Sequence, residues 1–339
     1  MKVLLISPLG FAIHPETRYA GVERLVWEYS RELSKTHEVT VMGREDSIYS
    51  EAVKVLPISI LDLPDTNIFG ELKSYQIYQS EIRKFDVIHD FSHQHLASRF
   101  MPALPSLNIF WHAPALAQYP KSPYNVIALS QWASREFKRI YKQEAKYQQS
   151  IVLDTTLYKL TNRHRGDRFL AVGRMGKDKG NLNAAMLCKK LGVPLDIITA
   201  PCGEPDYEKA VQELADGKQI KIWWEQDYTE ASKIEMMQTC KALLYVTDNP
   251  EVTSHKIQES LICGAPVVVP NLGAIPEIVT HGVDGYLCRT EAEFVAAMGN
   301  VHKLSPLSKY EETKKRYSVE NVVKNYLPLY ESVAGGLRW

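Results

Sequence analysis

Short apolar runs alternate with helix-period segments along the whole of this chain. The runs at residues 3–6, 38–42, 53–57, 87–89, 107–111 and 126–129 are too short for helices and predict buried strands. After a polar break they resume at 169–172, 195–199, 220–223, 242–246 and 266–269. Between them lie helical patterns. Val22, Leu25, Val26, Tyr29 and Leu33 recur at helical spacing, with Glu23, Arg24, Glu28 and Arg31 mostly on the opposite face. Regular strand–helix alternation predicts an α/β protein with parallel sheets covered on both faces. The stretch from Lys159 to Arg168 is polar, charged and free of strand pattern, so it marks a boundary between domains of about 1–160 and 165–318. Tyr317, Val322, Val323, Tyr326, Leu329 and Tyr330 predict a helical C-terminal segment.

A length of 339 residues suits two domains, and the 45% apolar content is that of a globular protein. Forty basic residues balance forty acidic ones, which argues against a general nucleic-acid binder. The five cysteines are scattered, with no Cys-x-x-Cys pair, and read as buried thiols in a reducing compartment. The opening apolar run is only four residues long before Ser-Pro-Leu-Gly breaks it, so it predicts a first strand and not a signal peptide. No apolar stretch is long enough to predict a membrane-spanning helix. The expectation is a cytoplasmic protein.

Several segments carry candidate chemistry. Gly21, in Tyr19-Ala20-Gly21-Val22-Glu23, opens a helix after the first strand, where backbone N–H groups can meet a phosphate. Gly173-Arg174-Met-Gly-Lys177-Asp-Lys179-Gly180 is a glycine-rich strand-to-helix loop whose Arg174 and Lys179 can clamp a diphosphate. It is not a P-loop, because Gly-x-x-x-x-Gly-Lys-Ser/Thr is absent. Glu251 and Glu259 stand eight positions apart around a predicted helix start at Thr253, Ser254 and His255. A carboxylate can accept two vicinal sugar hydroxyls, and the helix start can meet a diphosphate. His112 ends a strand. His89, Asp90, His93 and His95 are crowded together, which leaves open metal binding, the lining of a second substrate's site, or a plain structural role. Trp223 and Trp224 at a strand end are candidates to lie near a nucleobase. Basic and aromatic residues interleave from Arg135 to Tyr147, either as a solvated face or as a contact for an anionic membrane surface or lipid-linked acceptor.

These segments, in this order, resemble the retaining glycosyltransferases of family four. The resemblance rests on the Glu251-x7-Glu259 region, Gly173-Arg174-x4-Lys179-Gly180, the turn at Gly21, where Ala20 replaces a first glycine, His112, and Gly273-x-x-Pro276-Glu277-Ile-Val. It implies the GT-B fold, two Rossmann-like domains with parallel sheets facing across a central cleft, and a final helix of about 319–339 packing back on the first domain. It implies a metal-independent transferase without cofactor, using a UDP- or GDP-sugar and a glycan, lipid-linked or small-molecule acceptor. Arg174, Lys179, Glu251 and His112 would be catalytic. Gly21, Gly173, Thr253, Ser254, His255 and Glu259 would complete the donor site, and His93 and Ser130 the acceptor side. Where the family has Gly-Phe-Gly after the first glutamate, this chain has Val252-Thr253-Ser254. Peripheral contact with the inner membrane face is a further expectation. Two rivals are another GT-B enzyme, an epimerase or phosphorylase, and a non-catalytic nucleotide-sugar binding module.

Overall fold

Residues 1–13, 21–61, 63, 68–112, 124–161 and 164–339 are described in a computed structural model. The chain divides into two units, Met1–Asp154 with Tyr317–Trp339, and Thr155–Arg316.

The first unit carries β1 (Lys2–Ile6), α1 (Gly21–Leu33), β2 (Glu38–Arg44), β3 (Val53–Ile58), α2 (Ile68–Ile82), β4 (Val87–Asp90), α3 (Leu96–Phe100), β5 (Ser106–Phe110), β6 (Val126–Ala128), α4 (Gln131–Tyr141) and β7 (Ala145–Tyr147). Its seven strands are all parallel, in the order β3-β2-β1-β4-β5-β6-β7. Continuous apolar runs such as Val3-Leu-Leu-Ile6 are buried throughout, as a sheet covered on both faces requires. Along α1, Leu25, Val26, Tyr29 and Leu33 face inward at the expected spacing.

The second unit repeats the plan with β8 (Phe169–Val172), α5 (Asn181–Leu191), β9 (Leu195–Thr199), α6 (Pro205–Leu214), β10 (Ile220–Trp224), α7 (Glu230–Thr239), β11 (Leu243–Leu244), α8 (His255–Ile262), β12 (Val267–Pro270), β13 (Gly285–Cys288), α9 (Glu291–Asn300) and α10 (Tyr310–Tyr317). Its six parallel strands run β10-β9-β8-β11-β12-β13. In each sheet the strand order reverses beside the first strand, between β1 and β4 and between β8 and β11. The C-terminal ends of the strands at such a reversal leave a crevice that favours ligands.

The last helix, α11 (Val319–Ala334), belongs to the first unit. Tyr326 and Tyr330 pack with Tyr29, His89 and Phe91 in a buried aromatic cluster. The Tyr330 hydroxyl lies 2.7 Å from His89 Nδ1, and Tyr326 meets the Ser150 hydroxyl at 2.5 Å. Among the described residues no helix is long and apolar enough to cross a membrane.

Candidate functional site

The second unit's crevice is built from the loop after β8 and the loop after β11. The first loop runs from Gly173 through a 3-10 turn at Lys177–Lys179 to Gly180, where α5 begins. Gly180 adopts a left-handed φ of 65°, and a Cβ there would lie 1.9 Å from the Val246 carbonyl oxygen. Only glycine lets the two loops approach so closely. The Asn181 amide donates to the Arg174 carbonyl at 2.9 Å, and the Thr247 hydroxyl donates to the Asp178 carbonyl at 2.9 Å. Gly173 lies beneath the Lys179 stem, with its Cβ position 3.3 Å from Lys179 Cβ. The result is that Lys179 points at Glu251.

Lys179 Nζ is 2.6 Å from Glu251 Oε1 and 3.2 Å from Asp178 Oδ2. A second ammonium, Lys256 Nζ, lies 3.8 Å from the same Glu251 oxygen and 3.4 Å from the centre of the Tyr245 ring. Burial alone would raise the Glu251 carboxyl, but Lys256 and Lys179 outweigh it and hold it down at about 2. Burial pulls Lys179 down, and the Glu251 and Asp178 carboxylates outweigh it, so its ammonium is stabilised. At Lys256 burial wins over Glu251, and the group falls to about 8. Arg174 is the exposed member, with 43% of its side chain accessible and only a 3.6 Å approach to Asp178.

Glu251 is also held from behind. Ala274 N–H donates to the Glu251 carbonyl at 3.0 Å. Gly273, at φ 59°, places its Cβ position 2.7 Å from that same oxygen. The Gly273-x-x-Pro276 turn after β12 therefore shapes the site as well as the fold. Ser254 is the N-cap residue of α8, yet its hydroxyl makes no cap bond. The Ser254 hydroxyl, Glu251 Oε2 and the Tyr245 hydroxyl are all buried, and both hydroxyls lie near the Glu251 carboxylate without a well-formed hydrogen bond. Buried polar atoms are costly to leave unpaired. Three of them around one helix start fit a polar, hydroxyl-bearing ligand.

The Thr253 hydroxyl accepts from Gln258 Nε2 at 3.2 Å, and burial lowers the His255 imidazole. Glu259, on α8, approaches Lys233 at 3.5 Å, while Lys233 pairs more closely with Glu230 at 2.9 Å. The candidate nucleobase platform does not form around Trp223. Its indole N–H donates to Asp196 Oδ1 at 3.0 Å, and Asp196 is the ion-pair partner of Arg168 beneath the sheet. Trp223 therefore leans back toward the strand starts.

In the first unit, Gly21 is the exposed first residue of α1, and Ala20 lies outside the described residues. The three crowded histidines diverge. His89 is fully buried on Tyr330. His95 Nδ1 lies 3.5 Å from Asp90. His93 is half-buried, with its ring 5.5 Å from that of the exposed His112. Burial, then His112 and His95, hold the His93 imidazole down at about 4, so it is neutral at pH 7. Among the described residues no group of three or more His, Cys, Asp or Glu side chains is arranged to hold a metal. Ser130 caps α4, its hydroxyl accepting from Ala133 N–H at 3.0 Å. On α4, Phe137 packs on Phe110 and Tyr141, while Lys138 and Arg139 pair with Glu144 and Glu136.

The sequence profile of the family described as glycosyl transferases group 1 matches residues 157–316, almost the whole of the second unit. The C-terminal unit is thus similar in sequence to the group 1 glycosyltransferases. Similar solved structures cover the full chain. They include AviGT4, a glycosyltransferase involved in avilamycin A biosynthesis, at 18% identity and TM-score 0.75, covering 100% of this chain and 99% of that one. Anabaena HepE, in complex with UDP and glucose, is similar at 17% identity and TM-score 0.75, covering 98% and 100%. The sucrose-phosphate synthase of Thermosynechococcus elongatus is similar at 13% identity and TM-score 0.80, covering 99% and 100%. These likenesses show that the two Rossmann-like units have the GT-B fold. A search by sequence among curated proteins finds no match.

In this unit the sequence pattern did not single out Lys256. Its i+3 and i+4 neighbours on α8 are Glu259 and Ser260, so no apolar stripe marked it in the local pattern. The pattern also missed Glu71, a buried α2 carboxylate that accepts from the His93 and Gln94 N–H groups, both at 2.8 Å, and so holds the loop carrying His93. Nothing local in the sequence links positions so far apart.

Proposed function

We propose that this chain transfers a sugar, with retention at the anomeric carbon, from a nucleoside-diphosphate sugar to a glycan, lipid-linked or small-molecule acceptor. The observation that carries the reading is the Glu251 centre. Its carboxylate is ionised by two lysines through Oε1, while Oε2 is buried near the Ser254 and Tyr245 hydroxyls, without a well-formed hydrogen bond, beside the start of α8. In this reading Oε2 accepts hydroxyls of the transferred sugar, and Glu259 binds the ribose. Arg174, Lys179 and the first N–H groups of α8, at Thr253 to His255, receive the negative charge that develops as the diphosphate leaves. Preorganised charge of this kind acts where the transition state needs it. It needs no metal and no separate cofactor. Gly173 lets the chain turn beneath Lys179. His112 and neutral His93 serve the acceptor side, and the Gly21 turn offers its backbone N–H to the donor phosphate. The HepE complex with UDP and glucose favours trying UDP-sugars before GDP-sugars.

The test is thermal-shift screening of the purified protein against UDP-, GDP- and ADP-sugars, followed by turnover with a panel of acceptors. A ligand bound only by the folded state raises the melting midpoint. A shift with one base series, lost in Arg174→Ala and Glu259→Ala, followed by acceptor-dependent release of nucleoside diphosphate with or without EDTA, is the expected result. Release without any acceptor would favour an epimerase or hydrolase. A fully active Arg174→Ala variant would sink the assignment.

A further inference from the structure

Lys256 is 8% exposed, so its ammonium is almost wholly withdrawn from water. Two contacts hold it, the face of Tyr245 and Glu251 Oε1. The ring contact and the carboxylate offset part of the desolvation cost, and burial still outweighs Glu251. Lys179 already pairs with Glu251 but is shared with Asp178. It is Lys256, reaching back from the second position of α8, that approaches Oε1 from the helix side. We propose that Lys256 is a positioning residue of the donor site, which fixes the Glu251 carboxylate through Oε1, keeps Oε2 open to the donor sugar, and takes up a proton when the donor binds. The inference rests on the donor-site reading of Glu251.

The proton uptake follows from electrostatics. The charged and titratable groups facing Lys256 are Glu251 in its own loop, Lys179, Asp178 and Arg174 from the loop after β8, and Tyr245 from the segment after β11. His255 is its neighbour on α8. Near pH 8 this lysine is divided between ammonium and amine. A diphosphate at the start of α8 brings negative charge beside it, and negative charge favours the ammonium. Binding must then draw a proton from solution at pH 8, and almost none at pH 6.5, where the group is already charged.

The experiment is titration calorimetry of the full chain with UDP, GDP and the corresponding glucose and mannose nucleotides, in buffers of different ionisation enthalpy. With the nucleotide sugars, whose diphosphate does not titrate in this range, wild-type protein is expected to take up about half a proton at pH 8 and close to none at pH 6.5, given a group that titrates at about 8. Lys256→Met is expected to lose that uptake. It should also weaken nucleotide-sugar binding about ten-fold more than nucleoside-diphosphate binding, because the sugar is what Glu251 holds. Lys256→Arg should restore the sugar preference without the uptake, since a guanidinium does not titrate in this range. Binding with no uptake by wild type at pH 8, or equal uptake by Lys256→Met, would overturn the role of Lys256 and leave the donor site standing. No binding by any of the nucleotides would overturn the donor-site reading and this inference with it. If Lys256→Met does not fold, Lys256→Arg decides: loss of the pH 8 uptake with the sugar preference kept supports the role, and uptake equal to that of wild type overturns it.

Discussion

Glu71 in the first unit and Glu251 in the second are both withdrawn from water beside the strand reversal of a Rossmann-like sheet, yet they titrate in opposite directions. Glu71 accepts two backbone N–H groups and faces Asp90, and burial pushes it up to about 7. Glu23, bonded to Phe11 N–H, is likewise pushed up by burial to about 7, despite Arg44 nearby. Glu251 meets a larger opposing force, Lys256 and Lys179, and goes down to about 2. Burial is common to all three, so the cations decide the sign. The first unit keeps carboxyls that favour the neutral form and a neutral His93. The second concentrates fixed charge where a diphosphate would lie.

The difference can be broken most forcefully at Lys179. Lys179→Ala should lower the transfer rate about 10²–10³-fold, the usual loss for a charge-stabilising donor. In steady-state assays Glu71→Gln should cost far less at pH 6, because the amide oxygen still accepts from His93 and Gln94. Comparable losses would mean that charge is not what distinguishes the two units. Next in size is Gly180→Ala. The added Cβ would overlap the Val246 carbonyl, and the left-handed backbone disfavours alanine. Denaturant unfolding should show a loss on the order of 3 kcal/mol or more.

Titration gives a third test, with opposite signs in the two units. A carboxyl raised above its usual value near 4.5 weakens its unit as pH climbs from about 4.5 to about 7, because the unfolded chain ionises first. A carboxyl lowered to about 2 contributes stability above about 4.5 and loses it as pH falls through about 2. Buried His89 and His93, held down at about 3 and about 4, act the other way in the same unit, which gains stability from them as pH rises to about 6.5. Hydrogen exchange on the full chain, corrected for intrinsic rates, should therefore show the Glu71 effect as a difference: first-unit protection of wild type relative to Glu71→Gln should fall by on the order of 1–2 kcal/mol between pH 5 and pH 8, with no such difference in the second unit. The smallest effect is expected from Trp223→Phe. Losing the bond to Asp196 should cost about 1 kcal/mol in stability. Nucleotide affinity should stay unchanged, and a loss of affinity would return Trp223 to the nucleobase.

The strand–helix order was readable because buried parallel strands are written as unbroken apolar runs, and both sheets follow them. Two strands were not readable. Ala145-Lys-Tyr147 has no apolar run, and Gly285-Tyr-Leu-Cys288 opens on glycine at a sheet edge. The Arg174–Lys179 loop and the Glu251–Glu259 segment were legible because their chemistry lies within a few residues. Lys256 was not, because its meaning depends on Tyr245 and Lys179 reaching it from other elements. Ser130 shows the reverse limit. Its cap bond to Ala133 is local and already explains the residue, whatever else it touches. Trp223 misled because a strand position fixes which face a side chain takes, but not toward which end of the strand a long ring leans.

The return of α11 to the first unit has a consequence for biosynthesis. Val322, Val323, Tyr326 and Tyr330 complete a core begun by Tyr29 and His89, and the whole second unit is encoded between them. A ribosome adds about 5–20 residues per second, so the first unit waits on the order of ten seconds or more with one wall missing while its neighbour is made. The second unit, continuous in sequence from 155 to 316, has no such delay. The half of the molecule translated first is therefore the half finished last, and its aromatic face is the one a nascent-chain chaperone would have to cover.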